Sequence, residues 1–230
     1  MTTAPPQEAP LPVVLPVFPL TGSLLLPGNW LPLNVFEPRY CNMVEDAMRG
    51  GRWIGMIQPF TPQQDNWPAL EPPAADPELY RVGCAGHIET CEHQPDGRYL
   101  ILLRGRSRFR VRCELAPRRG YRQVDAEYAE FAADLAEPLV EIDPAPLLRA
   151  VRAFGKAQGL SFDLDVLADL SGVALLNGLA VALPFQPAEK QALLEAPGPH
   201  ERQELLLAMM SMGLDLASGA GERYQPPVVN

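Results

Sequence analysis

The sequence predicts an α+β protein in which a β-rich lobe is followed by a helical lobe. In residues 13–40, short apolar segments alternate with proline and glycine, which favours strands joined by turns over helices. Residues 104–112 (RGRSRFRVR) alternate strictly between arginine and small or apolar residues, which is the period of a strand. After about residue 138, apolar residues recur every three to four positions behind capping residues, which indicates helices.

The same changes in pattern predict the domain organisation. The Pro- and Ala-rich residues 1–12 are expected to form a disordered tail, and residues 218–230 a frayed one. The β-rich lobe is expected over residues 13–137 and the helical lobe over residues 138–217. Residues 59–79 contain six prolines, which predicts a long surface loop within the first lobe.

Each element of the first lobe has its own signal. Pro38 can open a helix over residues 39–48, since proline fits the first helical turn. The apolar face of this helix comprises Tyr40, Met43, Val44 and Ala47. Residues 95–98 (PDGR) form a turn sequence that closes a hairpin. The expected strands after this helix are residues 53–58, 80–92, 99–103, 104–112 and 121–131.

The helices of the second lobe are predicted from capping residues and prolines. Ser, Asp and Asn accept hydrogen bonds from the first turn of a helix, and proline is tolerated there. The expected N-terminal residues are Asp143 with Pro144, Asp163 or Ser161, Ser171, Pro187 and Pro199. The last helix is expected to reach about Leu216. Its predicted apolar face comprises Leu205, Leu206, Met209, Met212 and Leu216.

Composition and charge exclude several classes of protein. The 230 residues are 47% apolar and 20% charged, which fits a packed core and not wholesale disorder. No apolar run approaches the ~18 residues of a membrane helix, and the N-terminus has no secretory signal. Four cysteines are too few for a disulfide scaffold, so reduced thiols in the cytoplasm are expected. Residues 121–230 carry the whole net charge of −9, which argues against nucleic-acid binding by that half.

The sequence shows none of the catalytic motifs that can be checked directly. It contains no phosphate-binding loop, no G-x-G-x-x-G, no G-x-S-x-G and no His-Glu-x-x-His. Four potential metal ligands lie close together, but their spacing, C-x2-H-x3-C-x-H, matches no structural zinc pattern. They are Cys84, His87, Cys91 and His93. We therefore expect ordinary strand residues at these positions, with no metal and no cofactor.

Five arginines of the alternating segment share one parity and are expected to line one face of a strand. They form the arginine ladder, which comprises Arg104, Arg106, Arg108, Arg110 and Arg112. One interpretation is a solvated strand face whose arginines pair with carboxylates such as Asp125 and Glu127. The alternative is an electrostatic face that contacts the phosphates of RNA, although no aromatic residue is interleaved for base stacking.

The three tryptophans differ in their surroundings. Trp53 lies within an apolar segment and is expected to be in the core. Trp30 follows a Pro-Gly-Asn turn, and Trp67 lies in the Pro-rich loop. Trp30 and Trp67 are therefore candidate contacts for a polypeptide, because exposed aromatic residues often anchor protein interfaces.

A combination of short motifs resembles the N-terminal, substrate-binding domain of Lon proteases, especially its free-standing members. The resemblance extends over about residues 13–216. The matching segments are residues 15–20 (LPVFPL), 26–28 (LPG), 31–33 (LPL), 36–40 (FEPRY), 96–98 (DGR), 105–111 (GRSRFRV), 176–177 (LN), 183–184 (LP), 189–191 (EKQ), 193–195 (LLE) and 201–202 (ER).

The resemblance implies both a fold and a function. The implied fold is a PUA-like pseudo-β-barrel followed by a C-terminal helical bundle. The implied function is the binding of substrate polypeptides without catalysis, since the ATPase and Ser-Lys motifs of Lon have no counterpart here. The expected partner is a polypeptide client or a component of a protease system, and the oligomeric state stays open. RNA binding through the arginine ladder is the alternative.

Overall fold

The computed structural model describes residues 10–60, 77–136 and 140–219. The described residues divide into two compact units. The first unit contains residues 10–136 and Pro184–Leu194, and the second contains residues 140–183 and 195–219. The described part holds six strands in one sheet and seven helices, one of them a short 3-10 helix. The predicted mixed α+β class is therefore confirmed.

The strands and helices follow the chain in two groups. The strands are β1 (Val14–Pro19), β2 (Trp30–Val35), β3 (Trp53–Ile57), β4 (Val82–His93), β5 (Tyr99–Arg118) and β6 (Tyr121–Glu127). The helices are α1 (Pro38–Arg49), the 3-10 helix (Ala129–Leu135), α2 (Pro144–Gln158), α3 (Leu164–Ala168), α4 (Gly172–Ala182), α5 (Pro187–Glu195) and α6 (Pro199–Gly219).

Five of the strands pair in a closed ring. Their order is β5-β4-β3-β1-β6, and β6 pairs back with β5. The pair β1–β3 is parallel, and the other pairs are antiparallel. Strand β2 pairs with the first part of β5, so it forms an edge of the sheet. The relation of this ring to PUA-like barrels stays a prediction.

The interior of the ring is built around Phe109, which is fully buried. A Cβ atom at Gly83 would lie 2.5 Å from Cζ of Phe109, and one at Gly55 would lie 3.0 Å from the same atom. The first contact is closer than real Cβ atoms tolerate and the second is tighter than most real Cβ contacts, so glycine on β3 and β4 makes room for the ring. Leu15 and Val124 pack into the same core from β1 and β6.

The predicted face of α1 is confirmed. Pro38 occupies its first turn, and all four residues of the expected apolar face are buried.

The ends of the first lobe also show contacts at unexpected places. Leu11 packs against the core, and the Tyr128 hydroxyl donates to the Pro12 carbonyl at 2.9 Å. Most of the predicted tails and of the 59–79 loop lie outside the described residues.

The helical unit uses the predicted caps. Asp143 accepts a hydrogen bond from the first turn of α2, Asp163 from that of α3 and Ser171 from that of α4.

The predicted face of α6 is wrong at Met212, which is 54% exposed, whereas Met210 is fully buried. Residues 202, 206, 209, 210 and 213 form one stripe at helical spacing, and Met212 lies off it.

The stripe on α6 includes an arginine that is buried, although arginine is usually an exposed residue. Arg202 is 4% exposed, and its guanidinium donates to the Asn177 side chain of α4 at 3.0 Å. Hydrogen bonding compensates for the burial of such a polar group. Among the described residues, no helix is long and apolar enough to cross a membrane.

Helix α5 groups with the sheet, although the sequence assigns it to the helical lobe. Two buried glutamines hold it there. The Gln58 side chain donates to the Pro187 carbonyl at 3.0 Å and to the Gln191 side chain at 3.2 Å. Gln191 in turn donates to the Val82 carbonyl of β4 at 3.0 Å. Buried amides that find such partners fix an element in one position.

Candidate polypeptide-binding surface

A tight turn places Trp30 at the start of β2. Gly28 has a φ of +84°, which favours glycine, and its N–H donates to the Gly105 carbonyl at 2.9 Å. The N–H of Gly105 donates back to the Asn29 carbonyl at 2.9 Å. A Cβ atom on Gly105 would collide with the Leu26 carbonyl oxygen. Glycine at both positions therefore lets the turn approach β5 closely.

The register between β2 and β5 brings six side chains onto one outer surface, which we name the β2 face. Opposite residues of an antiparallel pair point to the same side of the sheet. Trp30 is 50% exposed and Leu100 is 40% exposed, so the face is open to solvent. The face consists of Trp30, Pro32 and Asn34 from β2 and Leu100, Leu102 and Arg104 from β5.

The outer edge of β2 offers backbone groups to a further strand. Antiparallel pairs alternate between hydrogen-bonded and non-hydrogen-bonded positions, and the Gly105–Asn29 bond sets the phase. The backbone groups of Trp30, Pro32 and Asn34 therefore point away from β5. Within the described part of the chain, no strand pairs with this edge. Three carbonyls and two N–H groups are available there, since proline has no donor.

Arg104 of the arginine ladder lies on the β2 face. Its guanidinium carbon is 5.5 Å from the centroid of the Trp30 ring, within the range of a cation–π interaction. The Arg104 side chain is partly buried, and its Nε has no hydrogen-bond partner within the described residues.

The other arginines of the ladder lie outside the β2 face and differ in burial. Arg106 pairs with Glu89 at 3.2 Å, and Arg112 is exposed. Arg108 is buried and pairs with Asp134 at 2.9 Å. The alternation itself is confirmed, because the intervening residues of β5 are buried. These are Gly105, Ser107, Phe109 and Val111.

The carboxylates paired with Arg108 and Arg110 come from the 3-10 helix, not from β6 as expected. Arg110 pairs with Glu130 at 2.6 Å, and hydrogen bonds from Arg110 lower the pKa of Glu130. Asp125 has a buried Oδ1 without a hydrogen-bond partner among the described residues. No periodic pattern predicted the 3-10 helix, so its carboxylates could not be assigned to arginines from the sequence.

The four potential metal ligands are all strand residues of β4, as expected. Cys84 is fully buried, whereas the His87 ring nitrogen Nδ1 lies 3.2 Å from Glu89. The His93 ring packs against Tyr99 at 4.7 Å. The described residues contain no group of three or more side chains that could hold a metal ion.

The tryptophans occupy different environments. Trp53 is 5% exposed and belongs to the core, as predicted. Trp30 lies on the β2 face, and Trp67 lies outside the described residues. Leu100 and Leu102 were not among the predicted contact residues, because β2 and β5 are far apart in the chain. Their only signal was the alternation of the two segments, which does not state which strands pair.

The fold and sequence agree with known proteins. A family profile described as the ATP-dependent protease La (LON) substrate-binding domain matches residues 14–212. The chain belongs to this family. The match agrees with the predicted extent of the Lon resemblance.

Individual Lon relatives cover most of this chain. Lon protease 2 from Sorangium cellulosum is 30% identical over 227 residues, which cover 88% of this chain and 25% of that protein. The chain spans about a quarter of the length of the curated Lon proteases it matches. The Lon N-terminal domain protein from Xanthomonas campestris is 29% identical with a TM-score of 0.55, covering 85% of this chain and 97% of that structure.

A second solved structure agrees at the level of the fold. The N-terminal domain of Lon protease from the Mycobacterium avium complex is 17% identical to this chain, with a TM-score of 0.56. The alignment covers 86% of this chain and 98% of that structure. The Lon-type arrangement of sheet and helices therefore persists at low sequence identity.

Proposed function

We propose that this Lon-family domain is a non-catalytic module that binds extended segments of unfolded or client polypeptides through the β2 face. The observation that carries the proposal is the free edge of β2 beside the exposed ring of Trp30. Family membership supports a role with polypeptides, since the matching profile is that of a substrate-binding domain.

The edge and the outer face of β2 suit an extended segment. An extended peptide adds a strand to a sheet edge by main-chain hydrogen bonds, which do not depend on its sequence. The outward groups of Trp30, Pro32 and Asn34 supply donors and acceptors for these bonds. Alternate side chains of the peptide then lie on the β2 face beside Trp30, Pro32 and Asn34, where burial of the Trp30 ring adds affinity.

We expect Trp30→Ala to weaken the binding of an unfolded polypeptide about 30-fold or more, because truncation of an aromatic anchor costs about 2 kcal/mol or more. The measurement is fluorescence anisotropy of a labelled, reduced and carboxymethylated polypeptide titrated with the protein. Val166→Ala is the matched control, since Val166 is 59% exposed in the helical unit. Equal affinities of the Trp30→Ala variant and the wild type would contradict the assignment of the surface.

The partner is proposed to be a polypeptide client or a component of a protease system. The relatives matched here are named Lon proteases, in which this region is a minor part of the chain. None of the four cysteines, all of them described, forms a disulfide bond, in keeping with the cytoplasmic location that the sequence predicts.

RNA binding through the arginine ladder is the alternative. Arg106, Arg108 and Arg110 are paired with carboxylates, which reduces the charge available to phosphates. A protein that contacts phosphates loses affinity steeply with salt. Binding of single-stranded RNA with such a slope, together with indifference to unfolded polypeptides, would favour this alternative.

A further inference from the structure

Arg104 differs from the paired arginines of the ladder. Arg106, Arg108 and Arg110 each form an ion pair with a carboxylate. Within the described residues Arg104 forms no ion pair, although its side chain is partly buried and its Nε is enclosed without an acceptor. A partly desolvated charge with unused donors attracts an anion more strongly than an exposed one does.

Glu89, a carboxylate on β4 close to the position opposite Arg104, is already engaged. Arg104 lies opposite His87 in the register of β4 and β5. Glu89 accepts from Arg106 at 3.2 Å, and its Oε1 lies 3.2 Å from the ring nitrogen of His87. Glu89 therefore does not neutralise the positive charge of Arg104 on the β2 face.

The indole of Trp30 prepares the guanidinium for a ligand. A stacked guanidinium presents its plane to the ring and keeps the N–H donors on its rim. Those donors match the two oxygens of a carboxylate. Trp30 also stands at the start of the free edge of β2, so a strand docked on this edge passes beside the Trp30 ring, over which the guanidinium of Arg104 lies at 5.5 Å.

We propose that Arg104 binds a carboxylate of the docked polypeptide, so that the β2 face selects extended segments with an acidic residue or a C-terminal carboxylate beside Trp30. This inference rests on the proposed function and adds a chemical preference to it. The net charge of −9 acts in the opposite sense, because general electrostatics make the protein repel acidic peptides. A preference for the acidic peptide must therefore come from a local site.

The test uses fluorescein-labelled decapeptides of alternating threonine and valine with amidated C-termini. Two peptides differ only in a central Glu or Gln, and a third has neutral side chains and a free C-terminal carboxylate. For the wild-type protein we expect the Glu peptide to bind about three- to tenfold tighter than the Gln peptide, in low salt. The third peptide shows whether a terminal carboxylate serves as well as a side chain.

Three variants assign the preference to Arg104. Arg104→Gln should reduce the ratio of the two affinities to about one, and Arg104→Lys should retain part of it, because lysine keeps the charge but not the planar donors. Arg112→Gln is the matched control. It removes an exposed arginine of the same strand and the same parity, about 26 Å away at the rise of a strand, and should leave the ratio unchanged.

The outcomes separate this inference from the proposed function. Equal binding of the Glu and Gln peptides by the wild type overturns the role of Arg104 and leaves polypeptide binding intact. The same loss of preference in Arg112→Gln also overturns it, since the preference would then not be specific to Arg104. If none of the peptides binds to the folded wild-type protein, both proposals fail.

Discussion

Arg108 carries a charge into the interior of the first unit. Its side chain is 4% exposed and that of Asp134 is 9% exposed. Nε and Nη2 of Arg108 each donate to an Asp134 oxygen at 2.9 Å, and Nη1 donates to the Leu194 carbonyl at 3.1 Å. The guanidinium also lies over the Phe131 ring. This pair thus joins β5, the 3-10 helix and α5 through one side chain.

We expect Asp134→Asn to lower the free energy of unfolding by about 3–5 kcal/mol, because it leaves a buried arginine without a compensating charge. Urea denaturation followed by circular dichroism measures the change. Glu130→Gln is the control, since the Arg110–Glu130 pair is 44% and 51% exposed and should contribute less than about 1 kcal/mol. Similar losses in both variants would contradict the distinction between buried and exposed pairs.

For single residues, the sequence predicted the direction of a side chain better than the residue with which it pairs. Strict alternation placed the five arginines on one side of β5, because successive strand side chains must point in opposite directions. It could not distinguish the buried Arg108 from the exposed Arg112. That difference depends on Asp134, which reaches β5 only once the 3-10 helix has folded against it.

Among the elements, α1 is fastened to the turn between β5 and β6 by a group of polar contacts around Asp46. The Tyr121 hydroxyl and Arg119 Nη1 both donate to Asp46 at 2.8 Å. Arg119 and Gly120 have positive φ angles, which form the tight turn that presents these groups. Burial and the hydrogen bond to Asp46 raise the pKa of Tyr121 to about 12.

The stabilisation from Asp46 should depend on pH. Burial alone would raise the pKa of Asp46, but hydrogen bonds from Tyr121 and Arg119 outweigh it and lower the pKa. A carboxyl group with a lowered folded-state pKa stabilises the fold above its ordinary pKa and loses this effect as the pH falls. Asp46→Asn should therefore be less stable than wild type at pH 7, and the deficit should shrink below about pH 4.

Thermal unfolding of both proteins between pH 7 and pH 2.5 measures this difference. Asp169→Asn provides a comparison, because Asp169 is exposed at the end of α3. A deficit of Asp46→Asn that stays constant down to the lowest pH would show that the ionised carboxylate is not its source.

The close contacts around Phe109 give a graded prediction for two glycines, Gly55 and Gly83. Gly83→Ala places its Cβ 2.6 Å from the Met56 carbonyl oxygen as well as against the ring, and backbone cannot move aside cheaply. At Gly55 the nearest atoms all belong to side chains. We expect both variants to be destabilised by about 1–3 kcal/mol or more, Gly83→Ala the more strongly.

Gly178→Ala in α4 is the matched control, since nothing lies within 4 Å of its added Cβ. It should be neutral or stabilising by up to about 1 kcal/mol, as alanine favours helices over glycine. Urea denaturation ranks the three variants. Equal stability of Gly55→Ala and Gly83→Ala would show that the backbone of β3 yields as readily as a side chain.

The elements were predicted well where local chemistry sets them. Asp143 and Ser171 start their helices because a side-chain oxygen satisfies nearby N–H groups, a contact within three residues. Two segments predicted as separate strands are instead parts of β5, which runs from Tyr99 to Arg118. Irregular register on both sides of β5 lets it bend and pair with three strands, which local sequence does not reveal.

For the molecule as a whole, the sequence predicted the change from strands to helices and the extent of the Lon resemblance. It did not predict which strands meet. The β2 face needs Trp30 and Arg104 side by side, and this depends on a pairing between distant segments. The turn before Trp30 made this residue a candidate contact from the sequence alone. The place of Leu100 on the β2 face, in contrast, follows only from the register between β2 and β5.

The position of α5 matters to anyone who divides this chain into expression fragments. A fragment that stops after the 3-10 helix encodes every strand of the sheet but omits Pro187–Leu194, which belongs to the same unit. Gln58 and the carbonyl of Val82 then lose the amide contacts that α5 supplies. The unit that contains the sheet is therefore completed by a segment that follows part of the helical unit in the chain, and no single cut releases it whole.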